Sequence, residues 1–119
     1  MSLDVKLKSA SPSPVVRFMP PETEAPGFAV ELGNTAALAS PFSFSRFYLD
    51  PGCSSVAEAH REAEIWFFAS GPGKLYVDGE LHLADKGSSF FFAPNVEHEL
   101  RNSGENRIEV FSVWWNAED

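Results

Sequence analysis

Residues 52–71 read GCSSVAEAHREAEIWFFASG, and two incompatible interpretations of this stretch lead to different folds. Alanine, glutamate and arginine are strong helix formers, and Ser55 followed by Glu58 matches the capping box that opens many helices. His60 and Glu64 would then lie one turn apart on an amphipathic helix. In the alternative, Glu58, His60 and Glu64 are donors that converge on one metal ion. Local propensity is a weak guide, so the surrounding sequence has to decide between them.

Outside this stretch, short apolar runs alternate with turn signals. Residues 74–77 and 80–84 flank Asp78-Gly79, a strong two-residue hairpin signal. Strand-like segments recur roughly every 8 to 12 residues, which predicts an all-β sandwich or barrel. The expected strands are residues 41–49, 74–77, 80–84, 88–93, 98–102 and 107–115.

The bulk composition limits the classes of partner. A chain of 119 residues fits one domain with one hydrophobic core. Its 17 acidic and 9 basic residues give a net charge of -8, which disfavours nucleic acids and anionic membranes as partners. No apolar run approaches the roughly 20 residues of a membrane span. Cys53 is the single cysteine, and with no signal-like N-terminus it predicts a cytoplasmic protein.

Residues 1–26 differ from the rest of the chain in composition. They contain five prolines with scattered charge, a pattern that disfavours a helix. We therefore expect an extended N-terminal arm over residues 1–26, followed by a single β-domain over residues 27–119.

The first of two motifs lies within the opening stretch. Gly52 is followed by five residues, then Glu58-Ala59-His60, three residues, Glu64, six residues and Gly71. This spacing resembles the first motif of the cupin family, where a glycine, a His-x-His pair, a glutamate and a second glycine keep the same intervals. Glu58 stands where the family usually has its first histidine.

The second motif runs from Gly87 through a turn at residues 93–95 to His98 and Asn102. It resembles the second cupin motif, although alanine replaces the family's first proline and Asn95 replaces its glycine. Asparagine adopts the left-handed conformation more readily than most residues, so we expect the turn to persist. Both motifs occur in order with a hairpin between them, and a local helix would have no reason to keep these intervals. The chain therefore resembles a small single-domain cupin.

The resemblance implies a fold and a set of metal ligands. The fold is the cupin double-stranded β-helix, a jelly-roll barrel. The implied ligands are His60, Glu64 and His98, and Glu58 is either a fourth ligand or a general base beside the metal. Alternation along strands allows Glu58 and His60 to point into the barrel together. Burying such groups without a cation would be costly.

Two imidazoles with one or two carboxylates indicate the type of metal. This donor set favours Fe(II) or Mn(II), although Zn(II) and Ni(II) also bind such sites. Trp66 and Phe68 share the strand parity of Glu64, so we expect them either to line a substrate cavity or to pack in the interior of the barrel. Arg46 and Tyr48 share a face of the strand over residues 41–49, and if that face is inward Arg46 would clamp a substrate carboxylate. His82 lies away from both motifs and is expected to be a surface or packing residue.

The resemblance also implies a metal-dependent enzyme that acts on a small organic molecule. A dioxygenase is the leading expectation, with an isomerase, lyase or cyclase as the alternative. A second alternative is a non-catalytic module that binds or senses a small molecule. A homodimer is expected from the resemblance, because short cupin barrels leave sheet edges to cover.

Overall fold

A computed structural model describes residues 14–36, 38 and 40–117, so half of the predicted N-terminal arm, residues 1–13, lies outside the described residues. The described part contains nine β-strands and no helix, which confirms the all-β fold class. The helical alternative for the opening stretch is wrong. The strands are β1 (Glu22–Ala25), β2 (Phe28–Leu32), β3 (Ser43–Leu49), β4 (Ala63–Phe68), β5 (Gly73–Val77), β6 (Glu80–Ala84), β7 (Ser89–Phe92), β8 (His98–Arg101) and β9 (Ile108–Trp115).

The strands form two antiparallel sheets. The larger sheet has the order β1-β2-β3-β9-β4-β7, and the smaller has the order β6-β5-β8. Strands far apart in sequence are therefore neighbours, as β9 lies between β3 and β4. The segment that precedes β4 continues the smaller sheet, because Ser54 and Glu58 form isolated bridges with Arg101 and His98 of β8. This arrangement places the two predicted motifs side by side.

The expected hairpin and turn have the predicted backbone. Asp78 and Gly79 connect β5 to β6 with φ angles of 48° and 84°, as a two-residue hairpin with two left-handed residues requires. Asn95 has a φ of 66°, so asparagine does replace the family's glycine in a left-handed conformation. Residues 22–25, which lie within the segment predicted as an arm, form the edge strand β1.

The hydrophobic core lies between the two sheets. Alternate residues of β3 point inward, and Phe47 and Leu49 are almost fully buried. The same alternation in β4 buries Glu64, Trp66 and Phe68 on one side, as the sequence predicted. Leu75 and Leu100 face them from the smaller sheet. The polar residues of the site are thus fixed to the wall of a packed aromatic core.

No helix in the described residues is long and apolar enough to span a membrane.

Candidate metal centre

The carboxylate of Glu64 is held on the inner face of the larger sheet by two neighbours. Trp66, two residues along β4, donates its indole N–H to Glu64 Oε2 over 2.9 Å. Ser112 of β9 donates its hydroxyl to the same oxygen. Both bonds use Oε2, and the other oxygen, Oε1, is left to face the two histidines. The side chain of Glu64 is 10% exposed, so this orientation is set by the core.

Both histidines present Nε2 to that second carboxylate oxygen. His60 lies in the loop before β4, and its Nε2 is 2.9 Å from Glu64 Oε1. His98 is the first residue of β8, on the opposite sheet, and its Nε2 is 3.3 Å from the same atom. The two imidazole rings are 5.1 Å apart between centroids. One carboxylate oxygen and two ring nitrogens therefore converge on a single point between the sheets.

Backbone carbonyls fix the orientation of both imidazole rings. His60 Nδ1 is 3.1 Å from the carbonyl oxygen of Glu62, and His98 Nδ1 is 3.0 Å from that of Val96. A carbonyl oxygen only accepts hydrogen bonds, so Nδ1 carries the hydrogen in each ring. In a neutral imidazole Nε2 is then an unprotonated donor of a lone pair. A carbonyl bond at one ring nitrogen is the usual way in which proteins orient a histidine for a metal at the other.

His98 is the more constrained of the two histidines. Its side chain is 2% exposed. The ring stacks on Phe92 with centroids 4.2 Å apart, and it contacts Trp66 edge-on at 5.2 Å. Its Nε2 is buried and lies 3.3 Å from Glu64 Oε1, but it makes no hydrogen bond of regular geometry with any described residue. Buried polar atoms are nearly always satisfied, so this nitrogen has the expected character of a metal ligand.

The protonation of Glu64 and His98 is coupled through their contact. Burial alone would raise the pKa of Glu64, but its contacts with His98, Ser112 and Trp66 lower it below the ordinary value. Burial alone would lower the pKa of His98, but the Glu64 carboxylate and the Val96 carbonyl raise it. The Glu64 carboxylate is therefore favoured in its ionised form, beside a His98 ring that holds its proton more tightly. Protons or a metal ion have to balance that charge.

Glu58 approaches the site from the smaller sheet. Its backbone exchanges two hydrogen bonds with His98, of 3.1 Å and 2.9 Å. Ligand atoms of Glu58, His60 and His98 all lie within 4.8 Å of one another. The expectation that alternation along a regular strand brings Glu58 and His60 together is wrong, because only an isolated bridge forms there. The turn at Asn95 supplies the missing support, since its N–H donates to the His60 carbonyl over 2.6 Å.

The four predicted ligands thus come together in one place, in two overlapping sets. His60 and His98 belong to both sets, while Glu58 completes one and Glu64 the other. Two imidazoles and two carboxylates suit Fe(II) or Mn(II). The orphaned Nε2 of His98 and the carbonyl bonds at both Nδ1 atoms fit a divalent cation held at this point. The identity of the ligands stays a prediction.

A cavity of about 280 Å³ opens from this point between β1–β2 and the loop that carries the first motif. Trp66 lines it, as predicted, and so do the carboxylates of the site. Phe68 is only 3% exposed and lies in the core behind Trp66 instead of in the lining. The lining residues are Glu24, Phe28, Val30, Leu32, Ser45, Phe47, Glu58, His60, Glu62, Glu64, Trp66 and Trp114.

Arg46 and Tyr48 do not line this cavity, which corrects their predicted role. Alternation along β3 points Phe47 inward and places Arg46 and Tyr48 on the outer face of the sheet. Arg46 Nε donates to Glu31 Oε1 over 2.6 Å there, and its guanidinium covers the ring of Phe18. Arg46 is thus a surface ion pair and not a clamp for a substrate bound in the cavity.

Two contributors to the site were not anticipated from the sequence. Ser112 lies in the apolar run of β9, and its inward parity with Ile108 and Val110 was the signal that would have revealed it. Glu24 belongs to β1, whose four residues carry no apolar alternation and gave no strand signal. His82 matches its expected role, because it is half-buried against Phe90 and far from the cavity lining.

The last residue of the second motif supports the fold. Asn102 is 2% exposed, and its amide nitrogen donates to the carbonyls of Leu49 and Asn106. Its Oδ1 accepts from the N–H of Gly104 over 3.0 Å. This amide ties the loop between β8 and β9 to the end of β3.

Several known proteins are similar in sequence to part of this chain. Mannose-1-phosphate guanylyltransferase of Klebsiella pneumoniae is 32% identical over 73 residues, which cover 60% of this chain and 16% of that protein. The alginate biosynthesis protein AlgA of Pseudomonas syringae pv. tomato is 30% identical over the same length, with 60% and 15% covered. The chain therefore spans about one sixth of the length of these relatives.

Solved structures match over most of the chain. An RmlC-like cupin from Shewanella frigidimarina has a TM-score of 0.70 at 20% identity, covering 85% of this chain and 86% of that one. A conserved cupin 2 barrel protein from Salinispora arenicola has a TM-score of 0.71 at 26% identity, with 76% of each chain covered. A predicted oxalate decarboxylase from Thermotoga maritima has a TM-score of 0.71 at 24% identity, covering 86% and 98%.

The family model described as the cupin domain matches residues 45–114. This range extends from the middle of β3 to the end of β9 and includes both motifs. With the two-sheet topology and the barrel structures that resemble it, the match confirms the predicted fold. The chain belongs to the cupin family.

Proposed function

We propose that this cupin is a divalent-metal-dependent enzyme that acts on a small organic molecule, with Fe(II) or Mn(II) as the metal. The observation that carries the proposal is the pair of imidazoles whose Nδ1 atoms are held by carbonyls and whose Nε2 atoms face one carboxylate oxygen. The proposed ligands are His60, His98 and Glu64, and Glu58 is either a fourth ligand or a general base beside the metal. Because Glu58, His60 and Glu64 line a cavity, a substrate that enters the cavity can reach the cation.

The chemistry proposed for this site is that of a dioxygenase. A bound Fe(II) or Mn(II) with two histidines and one carboxylate supplies open positions for dioxygen and substrate, and polarises a substrate oxygen as a Lewis acid. Glu64 is fixed by Trp66 and Ser112, so its Oε1 is held facing His60 and His98, with which it would hold the cation. Glu58 is exposed and less constrained, so it is able to exchange a proton with a substrate.

The test is anaerobic reconstitution of the metal-free protein with Fe(II) or Mn(II), followed by an oxygen electrode and a panel of small metabolites. Oxygen consumption that depends on both metal and substrate supports a dioxygenase. Turnover of a substrate without oxygen would instead assign the site to isomerase or lyase chemistry, which uses the cation as a Lewis acid alone.

A non-catalytic small-molecule-binding module is the second candidate, and one observation favours it. Glu64 already has polar partners at both oxygens: Trp66 and Ser112 at Oε2, and the histidines at Oε1. A protonated His60 or His98 would complete this network without a metal. Metal analysis discriminates between the two candidates. A protein purified without stoichiometric metal, and with a melting temperature unmoved by Mn(II) or Fe(II), would be such a module.

A further inference from the structure

The cavity above the metal centre is acidic at its mouth as well as at its base. Glu58 and Glu64 lie with the histidines at the base, and Glu24 and Glu62 also line the cavity. Glu24 is exposed on β1, and the Glu62 side chain is 45% exposed at the start of β4. None of the described residues that line the cavity is a lysine or an arginine.

The rest of the lining is apolar and largely aromatic. The larger sheet supplies this apolar wall: Phe28, Val30 and Phe47 lie on β2 and β3, and Trp66 and Trp114 lie on β4 and β9. The volume of about 280 Å³ is close to the lower end of the range for small-molecule sites. This shape suits a compact body such as one aromatic ring. It offers few neutral hydrogen-bonding groups for a sugar.

A bound divalent cation does not neutralise this cavity. The charge of the cation is balanced by two carboxylates, those of Glu58 and Glu64 at the base. Glu24 and Glu62 then add two further carboxylates to the lining, and none of the described lining residues is a lysine or an arginine that could balance them. Glu62 Oε1 lies 3.6 Å from His60 Nδ1, but that nitrogen already bonds the Glu62 carbonyl. An anionic substrate would meet this pair on entering, and like charges in a partly enclosed site are unfavourable.

We propose that the substrate of this cupin carries a positively charged amine on a compact apolar or aromatic body. The amine is recognised by Glu24 and Glu62, and the body packs against Trp66, Trp114 and Phe28. Aromatic faces also attract an ammonium group, which strengthens the same preference. This inference rests on the proposed function, since it assumes that the base of the cavity holds a divalent cation.

The test is calorimetric titration of the Mn(II)-loaded protein with three ligands that share one body and differ in charge: 2-phenylethylamine, 2-phenylethanol and 3-phenylpropanoate. The amine is expected to bind about tenfold or more tightly than the carboxylate, and the difference should shrink in high salt. The carboxylate makes the comparison stringent, because a carboxylate can itself bind Mn(II). A carboxylate that binds as tightly as the amine, or an amine that does not bind at millimolar concentration, overturns the inference.

Two variants test which residues cause the preference for the amine. Glu24→Gln combined with Glu62→Gln should abolish the advantage of the amine. Glu22→Gln, on the same strand but outside the cavity lining, removes the same kind of charge and should preserve it. An unchanged preference in the double variant contradicts the assignment of these two residues.

Metal content is measured on every sample. A protein that takes up neither Mn(II) nor Fe(II) refutes the metal-dependent function itself. A protein that binds Mn(II) but shows no preference for the amine refutes only the substrate class.

Discussion

The two halves of the candidate metal centre are built by different means. Glu64 and His98 belong to strands of opposite sheets, and their side chains are 10% and 2% exposed. His60 and Glu58 belong to the irregular segment before β4, where His60 is 29% exposed and Glu58 lies at the surface. We call these pairs the strand half and the loop half. The strand half is fixed by the core, whereas the loop half depends on hydrogen bonds to a neighbouring strand and turn.

This difference predicts that substitutions in the strand half have larger effects. A ligand held by the core cannot be replaced without leaving a gap in a packed wall. A ligand at the surface can be replaced in part by water. The predictions below compare the two halves, beginning with the largest expected effect.

The largest loss is expected for His98→Gln. This change removes the buried imidazole nitrogen, and we expect the affinity for Mn(II) to fall by more than about 100-fold, beyond the range for outer-shell changes. His60→Gln is the matched substitution in the loop half and should lose less. Titration calorimetry measures both, with circular dichroism as the control for folding. Equal losses in the two variants would mean that the halves do not differ.

The carboxylates offer the same comparison at a smaller scale. Glu64→Gln removes a negative charge from the site and replaces one of the two acceptor oxygens with an amide nitrogen, which only donates hydrogen bonds. We therefore expect the Mn(II) affinity to fall by between about 10-fold and 100-fold. Glu58→Gln should cost about tenfold at most, because Glu58 is exposed. The alternative role of Glu58 has a distinct signature. Turnover that falls while the Mn(II) affinity stays unchanged would make it a general base.

Ser112 tests whether the orientation of Glu64 matters. Ser112→Ala removes one of the two donors to Oε2, and we expect a loss of about tenfold in Mn(II) affinity. Ser45→Ala is the matched control, since Ser45 pairs with Ser112 across β3 and β9 and is also buried. It should leave the affinity within about twofold. Similar losses in the two variants would mean that the loss comes from disturbed packing of the buried strands, and not from the position of the Glu64 carboxylate.

The smallest expected effect is a shift with pH. The pKa of His98 is raised above 6.5, so in the metal-free protein this ring keeps its proton to a higher pH than an ordinary histidine. Metal has to displace that proton, so Mn(II) affinity should fall as the pH is lowered, with the decline beginning above pH 6.5. The contribution of His98 to metal-free stability has the opposite sign. It is full below the unfolded pKa and is lost as the pH rises through the folded pKa.

That stability effect is measured by thermal melts from pH 5 to pH 9. The increase in melting temperature caused by Mn(II) should grow as the pH rises. His98→Gln is the control, because it lacks the titrating group. If the increase in melting temperature caused by Mn(II) does not change with pH, then Mn(II) displaces no proton.

The strand half was readable from the sequence, whereas the loop half was readable only in part. Alternation within residues 64–68 predicted that Glu64 and Trp66 share an inward face, since the period of a strand is fixed by its backbone. Glu58 and His60 were matched by spacing, but the backbone of His98 supports Glu58 and that of Asn95 supports His60, and both are distant in sequence. A tertiary hydrogen bond of that kind leaves no local pattern.

Two other features could not be predicted from the alternation of apolar and polar residues in the sequence. The inward or outward sense of Arg46 required the register of β3, because a shift of one residue exchanges the two faces. The acidic mouth of the cavity required β1, whose exposed sequence ETEA has no alternation to mark it as a strand. Short edge strands without a buried face carry little information of their own.

Metal stoichiometry tests the central claim most directly. The metal-free protein is dialysed against micromolar Mn(II), and bound metal is counted for the wild type and for His98→Gln. A divalent-metal centre predicts one Mn(II) per wild-type chain and almost none for the variant. A folded wild-type protein that binds no Mn(II) or Fe(II), or a variant that binds as much as the wild type, would contradict it.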